Sequence, residues 1–335
     1  MKNYSCTEAP IKLYGLCKET LPEHFYRLPV ALMDKLGGWI KDRALLPMGG
    51  RVRFRTDSEK IVIKTTLKTN KIDWAVPLSC SANSTVLIGE TKNMRLAGLA
   101  GSHDYSTLYS EGTIKKKAGV MEDVTIYLER NEILEKMEIE IDDGARIEEP
   151  TPYQIEKSIV FYGSSITEGG CATRTANAYT ALVSSWLDAD FYNMGFSGAA
   201  KGEIEVAEYI ASLDMSAFVY DYDHNAPSAE HLMNTHEPFF KYIRAAKPEL
   251  PILMLSRPGM DDFPDDTNAR ESIIRRTYEN ALAAGDKNVA FIQGRELFGA
   301  GERINCTIEG CHPNDLGFMR MAKRIYPELK KLMKA

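Results

Sequence analysis

The segment Lys157-Ser158-Ile159-Val160-Phe161-Tyr162-Gly163-Ser164-Ser165-Ile166-Thr167-Glu168-Gly169-Gly170 changes character halfway along. Its first part is a near-continuous apolar run, the pattern of a strand covered on both faces in a parallel sheet. Its second part is small and polar, a turn leading straight out of that strand. Toward the C-terminus, helical and strand patterns alternate. Helix is expected over 178–186, strand over 191–193, helix over 204–210 and strand over 217–221. A long helix to about 246, a strand over 251–255, a helix to about 284, a strand over 289–292 and a closing helix over 313–333 follow. Such alternation predicts a doubly wound α/β domain with a parallel sheet, whose ligands bind at the C-terminal ends of the strands.

Toward the N-terminus the period changes. Arg51–Arg55, Lys60–Lys64, Val124–Leu128 and Met137–Ile141 alternate with period two, and Gly, Asn and Asp stand between the segments. This pattern reads as half-buried antiparallel strands of an all-β sandwich, with no amphipathic helix of useful length. The two prolines of Glu148-Glu-Pro-Thr-Pro-Tyr153 mark a boundary. Residues 1–150 are therefore expected to form a β-sandwich domain and residues 151–335 the α/β domain.

Composition narrows the function classes. The 335 residues are 44% hydrophobic and 26% charged, ordinary for a globular protein with a large core. A net charge of −6 and a pI near 5.7 argue against nucleic acid as a partner. No stretch approaches a membrane span, and Met1–Glu8 has no apolar leader, so a cytoplasmic location is expected. Six cysteines spread over so long a chain are expected to be reduced thiols. Cys306, Cys311 and His312 lack a second close ligand pair, so neither zinc nor any other cofactor is expected.

Four strand ends carry polar residues of kinds that cooperate. Gly163–Gly170 suits either a hydroxyl nucleophile presented at the top of a sheet or an ordinary strand-to-helix turn. It lacks the Lys-Ser/Thr of a phosphate loop, and Thr167 replaces the second glycine of a Gly-x-Ser-x-Gly elbow. Asn193-Met-Gly-Phe-Ser-Gly198 places a glycine where a backbone N–H can approach an oxyanion. Asp221-Tyr-Asp-His-Asn225 ends in an amide that can donate to the same oxyanion. In Glu309-Gly-Cys-His312-Pro313 a carboxylate stands three residues before an imidazole that it can orient as a general base.

Taken together, these blocks resemble the SGNH (GDSL-type) hydrolase family, in the subgroup with an N-terminal β-sandwich. Gly163-Ser-Ser-Ile-Thr167 is similar to the family's Gly-Asp-Ser-Ile-Thr, with Ser165 at the nucleophile position. Gly198 matches the oxyanion glycine of the second block and Asn225 the amide of the third. Glu309-Gly-Cys-His-Pro313 is similar to Asp-x-x-His-Pro, with Glu309 in place of Asp. The resemblance implies a flavodoxin-like catalytic domain, a catalytic Ser165–His312–Glu309 triad and an oxyanion hole of Ser165, Gly198 and Asn225. It also implies a serine esterase acting through an acyl-enzyme without a cofactor. The expected substrate is a short acyl ester, above all acetyl, of a small molecule or carbohydrate. A lysophospholipase, thioesterase or peptidase would use the same residues. From another class, a glycan-binding protein on a retired scaffold would show no ester turnover. Trp39 and Trp74 suit either stacking on sugar rings or, as expected here, a buried or half-buried place, and Arg174 is expected to approach substrate.

Overall fold

The computed structural model describes residues 1–259 and 264–334. The first half holds strands β1 (Lys2–Ser5), β2 (Lys12–Tyr14), β3 (Arg51–Thr56), β4 (Lys60–Leu67) and β5 (Asn83–Ile88). It continues with β6 (Arg95–Gly101), β7 (Tyr109–Lys115), β8 (Glu122–Tyr127), β9 (Leu134–Ile141) and β10 (Ile147–Glu148). Two antiparallel sheets result, β1-β9-β4-β7 and β10-β3-β8-β5-β6, with β2 added beside β3. Register follows the alternation. Val52 lies opposite Ile126 and Phe54 opposite Val124, while Ile61 and Ile63 face Ile141 and Ile139 in the other sheet. These side chains meet in one buried cluster between the sheets, so the half is a β-sandwich.

From β11 (Ile155–Gly163) onward the chain alternates: α4 (Ser165–Glu168), α5 (Tyr179–Leu187), β12 (Ala189–Gly195), α6 (Ile204–Ser212), β13 (Met215–Asp221) and α7 (Ala229–Ala246). Then come β14 (Ile252–Leu255), α8 (Pro264–Ala283), β15 (Val289–Ile292), α9 (Gly294–Leu297) and α10 (Asp315–Leu332). The five strands pair in parallel in the order β12-β11-β13-β14-β15, the doubly wound arrangement expected. Neighbouring residues of β11 point to opposite faces. Val160 and Tyr162 pack with α6, α7 and α8, while Ile159 and Phe161 pack with α5, α9 and α10. The order reverses at β11, so the turn after it opens at the switch point of the sheet.

Two features depart from the sequence reading. The first half contains two seven-residue helices, α1 (Val30–Leu36) and α2 (Gly38–Ala44), and a single turn, α3 (Leu78–Ser81). Each of the two longer helices buries only one or two side chains, too few for a helical stripe to be recognised. Their Met33, Ile40 and Ala44, with Leu28, join the core of the α/β half. Two of the three arginines that alternate along β3, Arg51 and Arg53, are also buried rather than solvated. Arg51 donates to the Phe191 carbonyl (3.1 Å) and the Tyr153 hydroxyl (3.1 Å), and pairs with Asp190. Arg53 lies over the Tyr153 ring, 4.0 Å from its centroid. The outer face of this sheet is thus an interface with the α/β half. Among the described residues no helix is long and apolar enough to cross a membrane.

Candidate active site

The turn after β11 fits its place because two glycines admit close backbone contact. A Cβ at Gly163 would sit 2.2 Å from Thr167 Oγ1 and 2.4 Å from the Asp221 carbonyl; one at Gly195 would sit 2.2 Å from the Glu168 nitrogen. Ser164 caps α4, its Oγ accepting from the Ile166 N–H at 3.1 Å. Below the turn, Thr167 Oγ1 and the Tyr179 hydroxyl donate to Asp221 at 2.8 and 2.9 Å. Burial outweighs those bonds and pushes the Asp221 carboxyl up to about 7.

Ser165 is buried to 7% exposure, and its Oγ lies 2.8 Å from His312 Nε2. On the other side of the ring, His312 Nδ1 is 2.6 Å from Glu309 Oε1. The same oxygen accepts the His312 backbone N–H at 2.9 Å. Glu309 and His312 stand on a tight reversal closed by the Thr307–Pro313 bridge and the Ile308 N–H to His312 carbonyl bond (3.1 Å). Asn314, capping α10 through the Gly317 N–H at 3.1 Å, ends that reversal. A carboxylate can only accept, so Nδ1–H donates to Glu309 and Nε2 presents a lone pair to the Ser165 hydroxyl.

The other two predicted residues lie on the adjoining turns. Gly198, with φ +68°, is exposed after β12, a conformation that favours glycine. Asn225 Nδ2 donates one hydrogen to the Phe196 carbonyl at 2.8 Å, tying the third block to the second. Its amide carries a second hydrogen that this bond does not use. Arg174 is half-buried four residues beyond Gly170, and its carbonyl accepts from the Asn177 N–H (3.0 Å).

Sequence reading missed the buried glutamate at the end of the turn. Glu168 Oε1 pairs with Arg27 at 3.0 Å and Oε2 with Arg130 at 3.3 Å, and Oε2 also accepts the Ser197 N–H at 3.2 Å. Arg27 further donates to the carbonyls of Leu46, Asn193 and Gly195. Burial pulls it down to about 10, against the pull of Glu168. A charged residue closing an otherwise neutral turn was the available signal. Its arginine partners, 141 and 38 residues upstream, were not readable.

Glu309, Cys311 and His312 offer donor atoms within 4.8 Å of one another, whereas Cys306 is buried in the core. Both imidazole nitrogens already have partners, and burial holds the Cys311 thiol protonated, up to about 11. That donor set does not fit a metal ion. His224, 3.9 Å from Cys311 Sγ through Nδ1, is held neutral by burial, down to about 3. A cavity of about 760 Å³ between α7 and α8 is lined by no serine, cysteine or histidine. Chemistry rather than volume locates the site.

Comparison with known proteins gives the family and the fold. The model of the GDSL-like Lipase/Acylhydrolase family matches residues 156–330, just over half of the chain. No curated protein matches by sequence. Among solved structures, a Bacteroides ovatus protein described as a GDSL-like lipase superposes with a TM-score of 0.89 at 26% identity. That match covers 99% of this chain and 98% of the other. A salicylyl-acyltransferase, SsfX3, from a tetracycline biosynthetic pathway gives 0.82 at 19% identity over 99% and 97%. An acetyl xylan esterase from the rumen bacterium Butyrivibrio proteoclasticus gives 0.59 at 15% over the full length of both chains. The chain belongs to the GDSL-like lipase/acylhydrolase family and is a hydrolase of ester bonds.

Proposed function

We propose that this hydrolase removes short acyl groups, above all acetyl, from carbohydrate or similar small alcohols by a serine mechanism. The observation that carries the proposal is the Ser165–His312–Glu309 chain of contacts at 2.8 and 2.6 Å. His312 takes the Ser165 proton as Oγ attacks the ester carbonyl, and Glu309 steadies the imidazolium that forms. The N–H groups of Ser165 and Gly198 and the Asn225 amide receive the oxyanion. Collapse of the tetrahedral intermediate returns the proton to the departing alcohol. Water, deprotonated by His312, then releases the acid.

The acetyl and carbohydrate parts draw on the neighbours, which include the acetyl xylan esterase and a carbohydrate esterase solved with cellohexaose. They also draw on Trp39 and Trp74, which are 56% and 79% exposed rather than buried. Exposed indole faces are suited to stacking on sugar rings. Six unpaired cysteines, five of them buried, fit the reducing cytoplasm proposed as its location.

A panel of p-nitrophenyl esters from acetate to decanoate, acetylated sugars, a lysophospholipid, an acyl thioester and a peptide tests this. Acetate and acetylated sugars should turn over fastest, and Ser165→Ala should lose all such activity with an unchanged thermal midpoint. A preference for long acyl chains or thioesters would replace the substrate assignment. Full activity in Ser165→Ala would remove the mechanism.

A further inference from the structure

Trp39 opens α2 in the N-terminal half of the chain, and its ring is more than half exposed. Its indole Nε1–H nonetheless donates to the Ser197 carbonyl at 2.7 Å. That carbonyl and the Gly198 N–H belong to one peptide group. The group is planar and trans, so its C=O and N–H point in opposite directions. A donor fixed on the oxygen therefore fixes the direction of the N–H.

The rest of the turn is held elsewhere. The Ser197 N–H is bound by Glu168 and the Phe196 carbonyl by Asn225, so both of these ties fall on the one preceding peptide. Trp39 alone, of these three side chains, grips the peptide that carries the Gly198 N–H. The two residues are in tight register: a Cβ at Gly198 would lie 3.3 Å from Trp39 Nε1 and 3.7 Å from Cδ1. The indole is itself braced, with the Arg43 guanidinium 4.8 Å from its centroid. The Arg43 carbonyl accepts from Arg27, the partner of Glu168.

We propose that Trp39 is a positioning residue of the oxyanion hole. Its indole N–H aims and polarises the Ser197–Gly198 peptide, so that the Gly198 N–H meets the charge developing on the ester oxygen. This rests on the esterase reading, which gives Gly198 its role. Hydrogen bonds in series strengthen one another, so a carbonyl that accepts from an indole makes its own N–H a better donor. The effect appears in the transition state, where the oxygen is charged, more than in the bound ester. No bond is made or broken at Trp39.

The test compares wild type, Trp39→Phe, and a chain with 3-benzothienylalanine at position 39, which keeps the indole's shape but replaces N–H with sulfur. For each, kcat and KM on p-nitrophenyl acetate are measured, with the rate of Ser165 phosphorylation by diethyl p-nitrophenyl phosphate and the thermal midpoint. Complete loss of an oxyanion donor costs about 10²–10³ in rate, so a donor left in place but unaimed should cost about tenfold. Both variants should show that fall in kcat and in phosphorylation rate, with KM within about twofold and the midpoint unchanged. Unchanged kcat in the benzothienyl variant would overturn the proposal, as would a rise in KM alone, which would make Trp39 a substrate contact. Either result, with Ser165-dependent turnover intact in wild type, leaves the esterase reading standing. Turnover that survives Ser165→Ala would strike that reading instead.

Discussion

Glu309 accepts two hydrogen bonds on one carboxylate oxygen, from the His312 ring and from the His312 backbone. The second bond fixes the carboxylate against its own reversal, so the extra methylene of Glu relative to Asp is taken up by the turn. Replacing Glu309 with Gln keeps the size but removes the charge proposed to stabilise the imidazolium, and kcat should fall by at least about tenfold. A kcat and pH profile equal to wild type would mean that His312 works without it. At this scale the sequence was informative where chemistry is local. The i, i+3 spacing of Glu309 and His312 was visible, as was the position of Ser165 in a turn after an apolar strand. The neutral state of His224 was not, because burial among Arg257, Cys311 and His312 comes from two separate segments distant in sequence.

Elements were legible where alternation or a helical stripe ran for several residues. β3, β4, β8 and β9 begin or end within a few residues of the runs that announced them, because their inward side chains are all β-branched, aromatic or long aliphatic. What alternation cannot tell is what covers the other face. Arg51 and Arg53 looked like solvent-facing partners of Val52 and Phe54, yet they are buried by Tyr153, Asp190 and Phe191. Lys116 is likewise buried, its ammonium reaching the Val120 carbonyl at 2.5 Å and Glu122 at 3.5 Å.

The loop between β8 and β9 carries a fully buried carboxylate, Glu129, which accepts from Ser84 Oγ at 3.1 Å. Burial pushes it up to about 7 from its ordinary 4.5. Between those values the folded chain holds a proton that the unfolded chain releases. Stability attributable to Glu129 is therefore present below about pH 4.5 and lost as pH rises through about 7. Asp221 acts in the same direction. The urea midpoint of wild type should fall from pH 5 to pH 8 by more than that of Glu129→Gln. Equal slopes would show that Glu129 is ionised at no cost.

At the scale of the whole molecule, the first half does more than sit beside the second. It supplies Leu28, Met33, Ile40 and Ala44 to the core under β11 and Arg27 to the base of the turn after β11. Arg130, after β8, reaches the same glutamate, so two separate segments of the first half converge on Glu168. Removing that carboxylate leaves two buried guanidinium groups unpaired. Glu168→Ala should cost about 3–5 kcal/mol of stability, read as a lowered denaturation midpoint. Residues 151–335 expressed alone should lack a cooperative thermal transition and ester turnover, since their core is left open. Full activity of that fragment would show the first half dispensable. None of this was legible, since no local pattern signals a contact between residues 27 and 168.

The central claim is that Ser165 carries the acyl group. Wild type mixed with p-nitrophenyl acetate, quenched in acid within the first turnovers and digested, should yield a peptide acetylated at Ser165. His312→Ala should yield little or none. Acetyl found on another residue, or full turnover with Ser165 never labelled, would contradict the account.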